Sequence, residues 1–272
     1  MYKRQQKKSD ITGSVSSVKS ENIQNAAFTR TDEALQGQIA GVQVVNNDAS
    51  PNSSISIRIR GVNSINAASD PLVIIDGMQG GSMSNVHPND IESIEILKDA
   101  SATAIYGSRG AGGVILITTK KGGSQKPTIT YNVFGALQQV RKKLDIMNAS
   151  EYAQYINTNR KVRKLPAVFD DVSTFENNST DWQDEIFRTG VTQNHHLSIS
   201  GKSGIISYNI AGDYLGAKGI VINSKYQKMS LRSNLTIDLN KKVKLNLNTF
   251  FSSSKDNPTV QNARDAYGSP IY

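Results

Sequence analysis

The 272-residue chain contains no cysteine, which excludes a disulfide framework and any thiolate metal centre. Long apolar runs are missing as well. The longest, such as Leu72 to Ile75, fall far short of the ~20 residues that a membrane helix needs. No apolar stretch follows the basic opening MYKRQQKKSD, so no secretory signal peptide is read there. Hydrophobic residues make up 37% of the chain and the mean hydropathy is −0.40, low for a protein built around one dry core. Enzyme signatures are also missing. No Gly-x-Ser-x-Gly elbow occurs. Val114 follows Gly113 where a phosphate loop needs Lys and then Ser or Thr. A dinucleotide fingerprint places its glycines between a strand and a helix, whereas here they follow a helix and open a strand. No EF-hand spacing is present, so Asp170-Asp171 and Asp181, Asp184 and Glu185 read as acidic loop surface. The reading is therefore of a non-enzyme with no catalytic residue, no cofactor and no metal.

The charge is strongly one-sided, at +8. The excess sits in Lys3 to Lys8, Arg141 to Lys143 and Arg160 to Lys164. No aromatic residues interleave with these clusters as a nucleic-acid stacking platform requires, so they read as solvated loops and strand ends and nucleic acid is excluded as a partner. His195 and His196 are neighbours, and on a strand neighbours point to opposite faces and cannot share an ion. His87 is remote in sequence, and all three read as ordinary polar or interfacial histidines.

What is present divides near Gly122-Gly123. Before it, α and β signals mix. Asp32 and Glu33 suit the first turn of a helix over Ala34 to Ala40, ended by Gly41. GVQVV follows as a strand, and Ile55, Ile57 and Ile59 alternate with Ser56, Arg58 and Arg60. LVII leads to a tight turn at Asp76-Gly77. Pro88 starts a turn, and Ile94 to Leu97 is a strand. Asp99 is expected to cap a helix over Ala100 to Tyr106, with Gly107 at its left-handed end. Gly112 and Gly113 then open Val114 to Ile117, apolar on both faces, where glycine lets a strand pass close under a packed neighbour.

After the division the period is two. Five segments alternate over about ten residues each, the length of a tilted membrane strand. One face is polar: Asn132, Ser207, Asn209, Arg232, Asn234 and Asn246. The other carries Tyr131, Val133, Ile206, Tyr208, Ile210, Leu231, Leu235, Leu245 and Leu247. Short turns at 201–204 and 240–242 alternate with longer connections at 140–190 and 216–225, as in an outer-membrane barrel. A soluble antiparallel sandwich would show the same alternation, with the apolar set buried instead.

The run from Pro71 to Gly122, "PLVIIDGMQGG…NDIESIEILKDASATAIYGSRGAGGVILITTKKG", closely resembles the plug domain of SusC/RagA-type TonB-dependent outer-membrane transporters. "ALQGQIAGVQVVNNDASPNSSISIRIRGVNSINAASDPLVIIDG" looks like the same plug, and "DWQDEIFRTGVTQNHHLSISG" is similar to the entry to that family's second barrel strand. The resemblance spans about Ile11 to Phe251. It departs at Gly112, usually Asn, and at Met78-Gln79, where Val-Pro is commoner. It implies an α+β plug domain over 10–122, followed over 123–272 by about five antiparallel transmembrane strands of an incomplete barrel, with residues 1–9 a leader or scar outside the pattern. The full barrel would have about 22 strands and a plugged lumen, and most of it, with a signal peptide, a TonB-contacting segment and an accessory domain, would lie outside this chain.

The implied function is TonB-driven import of an oligosaccharide or peptide across the outer membrane, together with a SusD-like lipoprotein. A siderophore or metal-chelate receptor is the alternative within transport, and a soluble β-rich binding or adhesion module is the alternative outside it. Implied partners are TonB, the lipoprotein, outer-membrane lipid and the substrate. The family's plug-to-barrel lock maps onto Arg60 and Lys98, with Arg58 on the same strand face as Arg60. Substrate contact is expected in the polar loops that hold Asn63, Asn66, Gln79, Ser82 and Asn85.

Overall fold

The computed structural model describes residues 15–19, 30–47, 50–61, 70–176, 179–240 and 242–258. Asn63 and Asn66 lie outside them. Two five-stranded sheets carry the fold, with a two-stranded ribbon beside the first.

The N-terminal unit is a mixed sheet in the order β1-β6-β7-β4-β5. Its strands are β1 (Val15–Lys19), β4 (Leu72–Ile75), β5 (Met78–Gln79), β6 (Ile91–Leu97) and β7 (Val114–Thr119). β4 runs parallel to β7 and the other pairs are antiparallel. The ribbon pairs β2 (Val42–Asn46) with β3 (Ile55–Ile59). β7 sits in the middle, which is why it is apolar on both faces: Ile115 and Ile117 enter the main core with Leu35, Ile57, Ile59, Ile91, Ile94 and Ile96, while Val114 and Leu116 enter a second cluster with Ile74 and Leu97. Gly113 precedes it at φ 92, and a Cβ there would meet Ile59 Cδ1 at 2.7 Å. The glycine before β7 thus serves packing, as its place ahead of a buried strand predicts.

Three local expectations are corrected. The helix over Ala34 to Ala40 is a single 3₁₀ turn, Glu33–Leu35, because the chain is already extended at Gln36 and turns left-handed at Gly37, φ 72. The helix after Asp99 is only α1 (Ala100–Thr103), continued by a 3₁₀ stretch to Gly110 that breaks at Gly107, φ 62 and ψ −148. The Asp99 side chain makes no capping bond to this helix; it pairs with Arg60 at 2.5 Å instead, and a guanidinium outcompetes backbone amides for a carboxylate.

The C-terminal sheet is a meander in the order β12-β11-β10-β9-β8. Its strands are β8 (Thr128–Gln138), β9 (Gly190–Ser203), β10 (Ile206–Lys218), β11 (Lys225–Asp238) and β12 (Lys244–Asn257). The pairing is fully antiparallel and in unbroken register, with Asp213 opposite both His196 and Ser230. The 140–190 connection is more ordered than its polarity suggests. It holds α2 (Ala149–Val162), started by a capping box in which Asn148 and Glu151 satisfy each other's amides, and α3 (Trp182–Ile186). Both edge strands, β8 and β12, keep one side unpaired among the described residues.

The burial of this sheet decides between barrel wall and sandwich. Val133, Leu231, Leu245 and Leu247 stand 52–63% exposed, with Tyr131, Ile206 and Ile210 also exposed and Tyr208 and Leu235 half-buried. Asn209, Arg232 and Asn234 are buried. A soluble sandwich would reverse these sets, so the burial favours the barrel-wall reading, in which the apolar face meets lipid. Asn132 and Asn246 share the polar face but lie on β8 and β12, beyond the cover of the N-terminal unit, and are exposed.

Candidate functional site between the two sheets

The N-terminal unit packs against the polar face of the C-terminal sheet, and side chains of that face reach mostly for backbone. Asn209 Nδ2 donates to the Lys120 carbonyl at 2.9 Å. Arg232 donates to the Asn85 carbonyl at 3.3 Å, and the Lys228 ammonium donates to the Ser84 carbonyl. Asn234 Nδ2 donates to Thr119 Oγ1 at 2.7 Å, and Thr119 donates on to Asp76 Oδ2 at 2.6 Å. Arg232, 4.0 Å from that same Asp76 oxygen and stacked over Phe250 at 5.0 Å, completes the network. The chain leaves the N-terminal unit at the short-turn end of the strands, where Lys202 N donates to the Ser124 carbonyl at 2.7 Å. A side chain at Gly122 would collide with the carbonyls of Tyr208 and Gly201. Asn52 and the 82–87 loop instead meet the other end, beside Tyr226, Lys228 and Asp256.

At the heart of the seam lie two histidines and two aspartates. His196 is 1% exposed; its Nδ1 lies 2.5 Å from Asp213 Oδ1 and its Nε2 3.4 Å from Asp90 Oδ1. His87 stacks on it, ring centroids 4.5 Å apart and planes 12° apart. His87 Nδ1 accepts from Asn89 N at 3.1 Å, and its Nε2 meets Asn194 Oδ1 at 3.1 Å. Burial, ahead of every charge effect, lowers His87 to about 4. Burial, reinforced by the nearby Asp213 charge, raises Asp90 to about 6.

His87, His196 and Asp213 are close enough together to suggest a metal centre, but the ring geometry opposes it. A ring nitrogen's lone pair lies in the ring plane, and two nearly parallel planes 4.5 Å apart do not meet at a common ion. The one Nδ1 nearest Asp213 on His87 is already an acceptor for a backbone amide. The adjacent cavity, of about 30 Å³ and lined by Arg30, Ser84, Tyr226 and Lys228, has room for about two waters.

This cluster was not read from the sequence, where His196 passed as an ordinary polar residue. Its even parity with Asn194 on β9 was the available signal; its meeting with His87 and Asp90 is tertiary. His195, one residue away, lies on the outer face, 2.8 Å from the Tyr131 hydroxyl. Among the expected lock residues, Arg60 adopts φ 58 and pairs with Asp99, Lys98 donates to the Ala40 carbonyl, and Arg58 is exposed. Gln79 and Ser82 are exposed in the hairpin and loop after β4, with Ser82 Oγ 2.7 Å from Ser84 Oγ. Asn85 is drawn into the seam by Lys228 and Arg232.

Comparison with known proteins matches residues 7–114 to the TonB-dependent Receptor Plug Domain. The chain is 46% identical over 258 residues to TonB-dependent receptor P3 of Formosa agariphila, covering 94% of this chain and 24% of that protein. It is 40% identical over 263 residues to TonB-dependent receptor SusC of Bacteroides thetaiotaomicron, covering 93% of this chain and 26% of that protein. The chain therefore spans about a quarter of the length of the curated relatives it matches. The solved structure of the RagAB peptide transporter superposes with a TM-score of 0.81 at 29% identity, covering 95% of this chain and 32% of that one.

Proposed function

The chain belongs to the TonB-dependent receptors of the SusC/RagA type, and from that premise we propose that it forms the plug and opening wall strands of an importer for oligosaccharides or peptides in the bacterial outer membrane. The observation that carries the reading is the inverted burial of the wall: Leu231, Leu245 and Leu247 face outward while Asn209, Arg232 and Asn234 hold the plug. Such a wall has lipid on one side and a polar, filled lumen on the other. The relatives are named as receptors and transporters. One relative is a SusC and one neighbour is the RagAB peptide transporter, which supports a nutrient substrate and a SusD-like lipoprotein partner.

The plug is to be remodelled by TonB from the periplasmic side, and the short-turn end, where the chain passes from plug to wall, is assigned to that side. The 82–87 loop then faces outward, which makes the exposed Ser82 and the neighbouring Gln79 the described residues best placed to meet substrate. The lock roles of Arg60, Lys98 and Arg58 are carried over from the resemblance; Arg60 and Lys98 would first have to exchange their partners within the plug. The test is growth of a strain dependent on the receptor on oligosaccharide or peptide mixtures. Loss of growth on one class, repeated when TonB is deleted, supports the reading. Growth on every class without the receptor, or a receptor absent from the outer-membrane fraction, overturns it.

A further inference from the structure

We propose that His196 is a latch holding the plug to the barrel wall, gripped between Asp213 of the wall and Asp90 of the plug, and that remodelling of the plug must break this grip. The proposal rests on the transporter reading above, which supplies the need for a plug that is held and then released.

Four bonds across the seam end on plug carbonyls, those of Ser84, Asn85 and Lys120. Water can replace a carbonyl's partner as the plug moves, at small net cost. The His196–Asp90 contact, at 3.4 Å, joins two ionisable side chains that are both out of water, 1% and 2% exposed; of the ionisable pairs across the seam among the described residues it is shorter than Arg232–Asp76 at 4.0 Å and His87–Asp213 at 3.8 Å. Separating such a pair without solvent leaves an uncompensated polar group behind, the costly way to break a buried interaction.

Each partner is held in place by its own element. Asp213 is directly opposite His196 in the ladder, and its second oxygen accepts from Ser230 Oγ at 3.2 Å, so three wall strands fix the ring. On the plug, Asp90 closes the 3₁₀ turn Pro88–Asp90, and its carbonyl accepts from Lys120 N at 2.8 Å. That bond ties the turn to the residue just after β7, the central strand of the plug. His87, at the start of the same turn, covers the open face of the His196 ring. A pull that shifts β7 or its exit is therefore transmitted to Asp90 through one backbone bond. The charged groups around the pair are Asp213, Lys228 and Arg232 from the wall and Lys120 and Asp76 from the plug. His87 faces it from the plug as a neutral ring.

The test uses the complete receptor in lipid bilayers, with hydrogen exchange of the Ile91–Leu97 amides as the measure of plug opening. His196→Ala and Asp90→Ala are each expected to speed that exchange at least tenfold, while the barrel keeps its heat-modifiable gel mobility. The double variant is expected to be no faster than either single one, because both remove the same contact. Exchange unchanged in both single variants, or additive effects in the double, overturns the latch. If His196→Ala fails to assemble, Asp90→Leu, which keeps the volume, removes both carboxylate oxygens and lies in the plug, decides by the same reading. A wild-type receptor that is water-soluble and not heat-modifiable overturns the transporter reading, and the latch with it. A heat-modifiable receptor with plug exchange indifferent to these substitutions overturns the latch alone.

Discussion

β7 in the plug and β11 in the wall are both rich in isoleucine and leucine, and they put them in opposite places. Ile115 and Ile117 of β7 are 0% and 2% exposed, whereas Leu231 of β11 is 54% exposed and its neighbour Arg232 is buried. The plug follows the rule for water, with apolar area removed from solvent at about 25 cal/mol per Å². The wall follows the rule for lipid, where the polar groups need company and the apolar ones do not. Alternation along a strand reveals which residues share a face; only the tertiary partner reveals which face is inside.

The comparison breaks most easily in the plug. Ile115→Ala should cost about 2–5 kcal/mol, since it leaves a cavity under Ile59 and Ile96 in the main core; a urea titration that follows the plug alone measures it. The matching cut in the wall, Leu231→Ala, should leave plug stability unmoved. Leu231→Arg is the next largest effect. It should lower barrel stability in bilayers by about 2–4 kcal/mol if Leu231 is at mid-depth, and a refolding titration in lipid vesicles with a cost near zero would argue that this face is not in hydrocarbon. Gly113→Ala tests the close passage that sets β7 under Ile59. The positive φ and the 2.7 Å approach to Ile59 Cδ1 together should cost about 1–3 kcal/mol, read from the same plug titration.

A smaller effect concerns pH at the seam. A protonated Asp90, raised to about 6, favours the docked plug, and that stabilisation is full below the ordinary aspartate range and lost as pH rises through about 6. Neutral His87, lowered to about 4, favours docking above the ordinary histidine value, and that stabilisation is lost as pH falls toward about 4. The two windows overlap with opposite signs, so plug exchange in the wild type should change little between pH 4 and 6.5. Asp90→Asn should remove the aspartate's window and leave that of His87, with docking weaker as pH falls across that range. His87→Phe should remove the His87 window and leave that of Asp90, with docking weaker as pH rises. The same pH slope in both variants would contradict the assignment. The smallest effect is Asp99→Ala. An exposed ion pair contributes about 0–1 kcal/mol, so this change should cost the plug no more than Arg60→Ala does.

The sequence made much of the fold legible because its period changes from mixed to strictly two at the Gly122-Gly123 boundary. The strands β3, β4, β6 and β7 and the turn at Asp76-Gly77 are read from local pattern, and so is the division of the wall residues into two faces. The plug family itself is read from long consecutive matches. The failures are where a distant partner overrides a local signal. Asp99 looks like a cap until Arg60, far upstream, takes its carboxylate. Ala34 to Ala40 looks helical until Gly37 and the packing of Leu35 end it after one turn. His196 looks like a solvated histidine because His87 and Asp90 join it only when the plug sits against the wall. The capping box Asn148-x-x-Glu151 is a visible motif inside a connection whose polarity otherwise reads as loop.

The central claim, that β11 has lipid on one side and plug on the other, is most directly tested by cysteine scanning. These 272 residues hold no cysteine, so within them each introduced one reports alone. Spin labels placed singly at Leu231, Arg232, Ser233, Asn234 and Leu235 of the receptor in bilayers would be read for collisions with oxygen, which partitions into lipid, and with a water-soluble nickel chelate. The account predicts oxygen access at Leu231, Ser233 and Leu235, and low access to both reagents at Arg232 and Asn234 until urea displaces the plug. Low oxygen access at Leu231 and Leu235, with nickel access at Arg232 and Asn234 in the intact protein, would contradict it.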